Sequence, residues 1–353
     1  MLRTLRAVDF RCFESLALEV PASGAVFTGR NAQGKTSVLE AVCLLIRLHS
    51  PRTARMSTLA RIDGAGGFGL AGEAWNCERR VDWRSRQPMD FRVDGETRAS
   101  QGAYLEDGGL LVWMGNDDIE MVRGGGETRR RYLDFIGSQV APDYRRALAR
   151  YRRALKARNF LLKDPARREA EIRSYEGVMV EAAAVLRSVR VSVSERLAPA
   201  VAERQEGIAG HPEKLELEYR AEGGMDLAAA FEQARERELR QRRSLVGPHR
   251  DELIFRLNGL DAGTYGSEGQ QRTLALALKL AQGTVLAETR GVQPIWLIDD
   301  VFGELDVARR NAVMKALPGD AQRLITTTHL DWLEESPDLA KLRRFRVTAG
   351  RVE

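Results

Sequence analysis

The sequence predicts a mixed α/β fold that carries a phosphate-binding loop and is interrupted by a long helical insertion. Three observations support this prediction. A glycine-rich loop stands between an apolar strand and an apolar helix near the N-terminus. A second apolar strand ends in two aspartates near residue 300, and much of the segment between these two features follows a heptad pattern.

Composition sets the outer limits of the interpretation. The chain has 353 residues, of which 43% are hydrophobic, so its length favours about two domains. No apolar stretch is long enough to span a bilayer and no secretory signal is visible, so we expect a cytoplasmic protein without membrane contact. The three cysteines fit neither a zinc site nor a disulfide framework. The net charge of +5 is compatible with a nucleic-acid partner without requiring one.

The phosphate-binding loop follows the pattern G-x-x-x-x-G-K-[ST]. It lies between a predicted strand over 24–28 and a predicted helix over 35–48, so backbone N–H groups at the helix start would face an anion. Lys35 would reach the β- and γ-phosphates of a nucleotide, and the Thr36 hydroxyl would be a ligand of Mg²⁺. The predicted nucleotide-binding residues are Gly29, Arg30, Asn31, Ala32, Gln33, Gly34, Lys35 and Thr36.

Short strands surround this loop on the N-terminal side of the chain. Alternating apolar residues predict strands over 2–8 and 16–20, and an antiparallel patch over 68–75, 78–84 and 91–93. Asp94-Gly95 predicts a hairpin turn, and residues 110–114 form an apolar run typical of a buried strand.

The middle of the chain changes to helical periodicity. Two heptad runs separated by a short break predict an antiparallel coiled-coil hairpin, and a third helix is predicted over 226–243. The first run is Tyr144, Leu148, Tyr151, Leu155 and Leu162, with Arg158 at the remaining seam position; the second is Ile172, Tyr175, Met179, Ala182, Leu186, Val189 and Val193.

After residue 245 the α/β pattern returns, with a hairpin at Asn258-Gly259, a long helix over 269–288 and strands over 294–298, 323–327 and 345–347. The strand that ends in Asp299-Asp300 would place two carboxylates beside the phosphate loop. Asp299 would hold Mg²⁺, and Asp300 would orient and deprotonate an attacking water. His329, which follows the next strand, would bond the γ-phosphate or hold that water.

The turn before the long helix offers a second helix N-terminus with a serine and a glycine. We expect Ser267, Glu268, Gly269 and Gln270 to contact a nucleotide held by a second copy of the chain, because one γ-phosphate cannot easily sit at two helix starts of one domain. The alternative is a plain capping box with Ser267 as N-cap and Gln270 at N3, and both interpretations can hold together.

Taken together, GRNAQGKT, SEGQQR, LIDDVFGELD and TTTH resemble the ABC-type ATPases of chromosome maintenance, and most closely the RecF family of bacterial recombination-repair ATPases. Further support comes from the segments 9–13, 122–134 and 247–251. The resemblance implies an α/β ABC-type ATPase head with an inserted all-helical lobe that contains the short coiled-coil hairpin. On this basis the ATPase domain would comprise 1–124 and 246–353, and the helical domain 125–245.

The resemblance also implies a function. Such a protein binds ATP with Mg²⁺, forms an ATP-dependent homodimer on double-stranded or gapped DNA, with single-stranded DNA as an additional ligand, and hydrolyses ATP slowly as a DNA-dependent switch. The family acts with RecO and RecR in loading RecA at gaps during the response to DNA damage.

Three points stay open at this stage. No glutamine occurs in 114–118, where related ATPases place one that senses Mg²⁺, and no role follows for His249-Arg250-Asp251. A basic helix face could contact the DNA backbone, or it could be a solvated face paired with Glu169, Glu171, Glu176 and Glu181. The candidate DNA contacts are Arg129, Arg130, Arg145, Arg146 and Arg153.

Two rival functions belong to other classes. A nucleotide-binding subunit of a transporter would use the same ATP site, but the heptad hairpin argues against it. A scaffold with structural ATP would bind the nucleotide without turnover or ATP-dependent self-association.

Overall fold

The computed structural model describes residues 1–106, 108–164, 168–328 and 342–353. It divides into two compact units: Met1–Asp117 with Gly291–Glu353, and Asp118–Arg290. Within the described ranges, no helix is both long enough and apolar enough to cross a membrane.

The described strands and helices are named here in chain order. The strands are β1 (Thr4–Phe10), β2 (Phe13–Glu19), β3 (Gly24–Thr28), β4 (Gly67–Ala74), β5 (Cys77–Arg84), β6 (Asp90–Val93), β7 (Glu96–Thr97), β8 (Leu111–Gly115), β9 (Leu215–Arg220), β10 (Glu252–Leu257), β11 (Leu260–Asp261), β12 (Ile295–Asp299), β13 (Arg323–Thr327), β14 (Arg343–Thr348) and β15 (Arg351–Val352). The α-helices are α1 (Lys35–Arg47), α2 (Gln101–Glu106), α3 (Glu120–Arg123), α4 (Gly126–Val140), α5 (Pro142–Leu161), α6 (Glu169–Ala209), α7 (Leu227–Gln241), α8 (Ala262–Tyr265), α9 (Glu268–Arg290) and α10 (Val307–Ala316). Short 3₁₀ turns occur at Met56–Thr58, Asn116–Ile119 and Val301–Glu304.

A sheet of order β15-β14-β3-β13-β12-β8 forms the centre of the first unit. Its five strands from β14 to β8 are parallel, and β15 is antiparallel to β14. The inner strands are buried along nearly their whole length, as expected for a parallel sheet covered on both faces. The predicted bounds of β3 and β13 are confirmed, and those of β8 and β12 are shifted by one residue.

The second sheet of the first unit is antiparallel, with the order β2-β1-β4-β5-β6-β7. The predicted hairpin between β6 and β7 is confirmed, because Asp94 and Gly95 both adopt positive φ, at 52° and 78°. Helix α1 packs against strands of both sheets, so it is buried on all sides.

The second unit contains the predicted helical hairpin. Helices α5 and α6 pack antiparallel, as shown by the pairs Arg150–Glu181 at 2.9 Å and Arg158–Glu176 at 2.7 Å. Arg158 occupies the seam as predicted and bonds a second buried carboxylate, Glu238 of α7. The seam prediction was wrong for Tyr175. This residue is 38% exposed, because Glu176 turns inward to Arg158.

A buried ionic centre explains the stretch His249-Arg250-Asp251. Asp251 is fully buried and accepts hydrogen bonds from Arg187 Nη2 at 2.9 Å, from the backbone N–H of Glu222 at 2.9 Å and from the Tyr219 hydroxyl. Arg190, also on α6, lies 3.6 Å from the same carboxylate. This segment therefore fixes the start of β10 to the hairpin helix.

The compact units differ from the predicted domain bounds. The segments 118–124 and 246–290 were assigned by prediction to the first domain but lie in the second unit. The physical reason is that β10 pairs with β9, while α9 packs against α6 and α4. The inserted lobe was predicted to be all-helical. It also contains β9, which forms a three-stranded antiparallel sheet with β10 and β11.

Candidate functional site

The candidate site lies at the carboxyl edge of the parallel sheet. Asp299 at the end of β12 is in register with Gly115 of β8 on one side and Thr326 of β13 on the other. Thr327 of β13 pairs with Thr28 of β3, from which the phosphate loop departs. Ligands of α/β sheets bind outside this edge, so the sheet itself brings the loop and the aspartates together.

The two glycines of the phosphate loop stand where a side chain cannot fit. Gly29 has φ 149°, and a Cβ there would lie 2.3 Å from the carbonyl oxygen of Val347. Gly34 has φ 114°, and a Cβ there would lie 2.6 Å from the Sγ of Cys12. Gly34 is also the N-cap of α1 and makes no side-chain cap, an arrangement that presents backbone N–H groups to an anion.

Gln33 braces the loop from the C-terminal hairpin. Its Oε1 accepts from the backbone N–H of Ala349 at 2.7 Å, and its carbonyl accepts from the N–H of Gly350 at 3.1 Å. The Cys12 thiol donates to the same carbonyl at 3.9 Å. These contacts of Gln33 could not be predicted from the sequence, because the partners of Gln33 lie more than 300 positions away or in a separate turn.

Lys35 is 6% exposed and folds back on its own loop. Its Nζ donates to the carbonyl oxygens of Gly29 at 2.6 Å and Arg30 at 3.0 Å. Burial lowers the pKa of Lys35, and the charges of Asp300 and Asp299 act in the opposite direction. The ammonium thus stands at the loop with two neutral acceptors that the oxygens of a phosphate could replace.

Asp299 is held by two hydroxyl groups. Its Oδ1 accepts from Thr36 Oγ1 at 2.8 Å and from Thr326 Oγ1 at 2.7 Å. Burial raises the pKa of Asp299, while these hydrogen bonds and the charge of Arg52 lower it. The structure therefore places the two predicted magnesium ligands, Thr36 and Asp299, in direct contact. Sequence reasoning gave no role to Thr326 or Arg52.

Asp300 adopts a left-handed backbone conformation with φ 53°. Its backbone N–H donates to Thr326 Oγ1 at 3.0 Å, which helps to hold this uncommon geometry. Its Oδ1 is buried and has no hydrogen-bond partner among the residues that the structure describes. Burial raises the pKa of Asp300, partly offset by the charge of Lys35. A half-buried carboxylate with a vacant acceptor is suited to taking a hydrogen bond from a water molecule.

Asn116 follows β8 in the stretch where no glutamine could be found. Its Nδ2 donates to Glu304 Oε1 at 2.8 Å and to the carbonyl oxygen of Asp300 at 3.4 Å. An amide therefore does stand beside the two aspartates, one methylene shorter than a glutamine. His329, the other predicted catalytic residue, lies outside the described residues.

The predicted turn before the long helix lies in the second unit. Its capping box is confirmed: the Ser267 N–H donates to Gln270 Oε1 at 2.9 Å, and the Gln270 N–H donates to Ser267 Oγ at 3.2 Å. Ser267 and Glu268 are exposed and Gly269 is half-buried, so the start of α9 is open to a ligand.

The candidate DNA contacts separate into two groups. Arg129 and Arg130 are both bonded to Glu252 at 3.3 Å and to nearby carbonyls, so they are occupied within the lobe. Arg146 pairs with Asp143 at 3.3 Å on the surface. Arg145 is half-buried, burial lowers its pKa, and among the described residues it has no acidic partner. Arg153 is exposed and likewise lacks a described partner.

Comparisons with known proteins agree with this architecture. The chain is 36% identical over 375 residues to the DNA replication and repair protein RecF of Symbiobacterium thermophilum, covering 99% of this chain and 97% of that protein. It is 35% identical over 374 residues to the protein of the same name from Gloeobacter violaceus, covering 99% and 98%. No protein-family model matches the chain.

Solved structures show the same fold. A structure of the recombination mediator protein RecF with ATP, in the RecFOR pathway, matches with a TM-score of 0.89 and 28% identity, covering 100% of this chain and 96% of that one. The Smc head domain of Pyrococcus furiosus matches with a TM-score of 0.57 and 15% identity, covering 100% and 95%, which shows a shared fold. The predicted ABC-type ATPase fold is therefore confirmed. Given the identity over nearly its whole length, the chain belongs to the RecF family of DNA replication and repair proteins.

Proposed function

We propose that the protein is an ATP-dependent DNA-binding clamp of recombinational repair and replication-gap processing. The observation that carries this proposal is the contact between Thr36 and Asp299 at 2.8 Å, with Lys35 on the same loop. A phosphate loop joined to a strand-end carboxylate is the arrangement that binds Mg·ATP in P-loop ATPases.

The residues fit a nucleotide with Mg²⁺. Thr36 and Asp299 offer the hard oxygen ligands that Mg²⁺ prefers, and burial of the Asp299 carboxylate favours a neighbouring cation. When bound, Mg²⁺ would neutralise charge on the phosphates. The chain's own contribution is the backbone cradle of the loop and the ammonium of Lys35, which would exchange its carbonyl partners for phosphate oxygens.

Hydrolysis would depend on Asp300. The Oδ1 atom of Asp300, which has no hydrogen-bond partner among the described residues, would accept a hydrogen bond from the attacking water. It would thereby orient this water and receive its proton. The Asn116 amide would keep the Asp300 backbone in place from the side of β8. We expect slow, DNA-dependent turnover, with His329 in the role of γ-phosphate contact that its position after β13 predicted.

The second part of the proposal is a homodimer that ATP holds together. Ser267, Glu268, Gly269 and Gln270 would contact the nucleotide of a neighbouring copy from the exposed start of α9. The 23-residue length of α9 and its backbone dipole support an anion at this end. The capping box positions Ser267 without using its remaining hydrogen-bonding capacity.

DNA would be the ligand of the closed dimer. Arg145 and Arg153 are the best candidates for backbone contacts, because neither has an acidic partner among the described residues. Contacts of this kind favour duplex and gapped DNA without sequence readout. By family resemblance we place the protein in the cytoplasm with RecO and RecR as partners in loading RecA; a related structure is itself described as part of the RecFOR pathway.

One pair of substitutions tests the shared-site proposal. Ser267→Arg should keep ATP binding but abolish the ATP-dependent dimer, because a bulky cation would stand in place of the serine that faces the neighbour. Lys35→Met is the matched control, since it should abolish ATP binding itself. Light scattering gives the mass and a fluorescent ATP analogue gives the affinity. A Ser267→Arg protein that still dimerises with ATP would contradict the proposal.

A further inference from the structure

Glu213, in the loop between α6 and β9, joins two glutamines from distant parts of the second unit. Its Oε1 accepts from Gln270 Nε2 at 2.8 Å, and its Oε2 accepts from Gln205 Nε2. Gln270 lies in the first turn of α9, whereas Gln205 is fully buried near the end of α6. Each carboxylate oxygen thus takes one amide group.

The amide of Gln270 is used at both ends. Its oxygen accepts from the Ser267 N–H in the capping box, and its nitrogen donates to Glu213. A flipped amide would set a donor against the Ser267 N–H and an acceptor against a carboxylate, so only the observed orientation satisfies both neighbours. Ser267 and Glu213 together therefore fix the orientation of the Gln270 amide.

The carboxylate of Glu213 has no cationic partner among the described residues. The two amides are its only described partners, so it is not held in place by an ion pair. Hydrogen bonds to a charged group are stronger than those between neutral groups, which makes Glu213 an effective tie between the two glutamines.

We propose that Glu213 is a positioning residue, which ties the Ser267–Gln270 turn to α6 and thereby couples the helical hairpin to the turn that contacts a neighbour's ATP. The proposal rests on the ATP-dependent dimer inferred above. A displacement of α6 when the hairpin binds DNA would reach the turn through Gln205 and Glu213, without any contact between DNA and nucleotide. The ligand at the turn is the triphosphate of a second copy of this chain.

The first test removes the tie. Glu213→Ala is expected to weaken ATP-dependent self-association about tenfold or more, the loss corresponding to one hydrogen bond to a charged group. ATP affinity of the monomer should be unchanged, because the phosphate loop lies in the other unit. Glu216→Ala is the matched control: Glu216 pairs with Lys214 at 2.7 Å in the same stretch and does not touch the turn.

Conservative replacement separates positioning from folding. Glu213→Gln keeps one acceptor oxygen for Gln270, and its new NH₂ group can donate to Gln205 if that amide flips. This variant should associate within about threefold of wild type. Thermal unfolding of every variant, read by circular dichroism, checks that each is folded.

The sharpest comparison replaces the donor group of Gln270 by an acceptor and then restores a donor at position 213. Gln270→Glu keeps the capping box, since Glu is also favoured at N3, but sets two carboxylates against each other. Its association should be weak at pH 7.5 and recover toward pH 5.5, where the two groups can share a proton. Adding Glu213→Gln should restore association about tenfold at pH 7.5.

The outcomes are distinct. A Glu213→Ala protein that dimerises with ATP as wild type does, or a double variant no better than Gln270→Glu alone, would overturn the positioning role and leave the shared ATP site standing. A wild-type protein that stays monomeric with ATP would overturn the proposed dimer, and the positioning role with it.

Discussion

Two aspartates, Asp251 and Asp299, show how differently the two units use the same side chain. Asp251 in the second unit is surrounded by Arg187, Arg190 and further hydrogen-bond donors, so its charge is compensated. Asp299 in the first unit accepts hydrogen bonds from the hydroxyls of Thr36 and Thr326, its two partners among the described residues, and burial raises its pKa. The first arrangement stabilises a fold, whereas the second leaves room for a cation. The partners of each carboxylate therefore suit Asp251 to a structural role and Asp299 to the proposed cation site.

The largest expected effect tests the structural carboxylate. Asp251→Asn should lower the free energy of unfolding by about 3–5 kcal/mol, because Arg187 would stay buried without a counter-charge among the described residues. Urea denaturation measures the loss. Asp299→Asn is the matched control and should change the free energy of unfolding by less than about 1 kcal/mol, since the nearby ammonium of Lys35 keeps its own hydrogen bonds to the carbonyl oxygens of Gly29 and Arg30. Equal losses in the two variants would remove the distinction.

The next prediction tests the functional side of the comparison. Asp300→Asn should reduce the rate of ATP turnover about 10²–10⁴-fold, because an amide cannot take the proton of the attacking water. ATP affinity should stay close to that of wild type, since Asp300 is not expected to hold the nucleotide. Single-turnover kinetics together with nucleotide titration separate the two quantities. A parallel loss of affinity and rate would assign Asp300 to binding instead.

A third prediction concerns His249, a half-buried ring beside Asp251. Burial lowers the pKa of His249 from 6.5 to about 4, with further contributions from Arg250 and Arg130. Above pH 6.5 the ring is neutral in both states. Between pH 6.5 and 4 only the unfolded chain binds the proton, so stability falls as the pH is lowered.

The loss at this histidine should total about 2–3 kcal/mol and level off below pH 4. His249→Gln should remove this part of the pH dependence while keeping a polar partner for the Tyr151 hydroxyl, which lies 2.7 Å from the ring. Urea denaturation at several pH values gives the difference in slope. Identical pH profiles for the two proteins would show that His249 titrates normally.

The smallest expected effect compares an arginine that has no acidic partner among the described residues with one that is already paired. Arg145→Ala should weaken binding to duplex DNA about threefold to tenfold and reduce the slope of log affinity against log salt by about one. Arg129→Ala is the control, because Arg129 is already paired with Glu252 and should leave the slope unchanged. Fluorescence anisotropy over a range of salt concentrations measures both. Equal slopes for the two variants would exclude Arg145 from the DNA contact.

The functional end of the first unit could be predicted from the sequence because its signals are local. The phosphate loop, the apolar strand before Asp299 and the helix after Thr36 each carry their own pattern, and a parallel sheet brings strand ends together. The pairing of Thr326 with Asp299 was not predicted, since a threonine at a strand end has many roles and only the register selects one.

The ionic centre of the second unit could not be predicted in this way. Asp251 and Arg187 are 64 positions apart, and Arg129 and Glu252 are 123 apart, so no local pattern links them. The heptad pattern located α5 and α6 but could not show that Glu176 turns inward to meet Arg158. Strand β9 was missed although LELEYR alternates, because a half-exposed strand beside long helices gives a weak apolar signal.

Sedimentation velocity tests the central claim most directly, namely that ATP joins two copies of this chain. The wild-type protein is compared with Mg·ATP, with Mg·ADP and without nucleotide, each with and without a DNA duplex. We predict a dimer only with Mg·ATP, which sediments with the duplex and returns to monomer as ATP is hydrolysed. A protein that stays monomeric under every condition, or dimerises equally with ADP, would contradict the account.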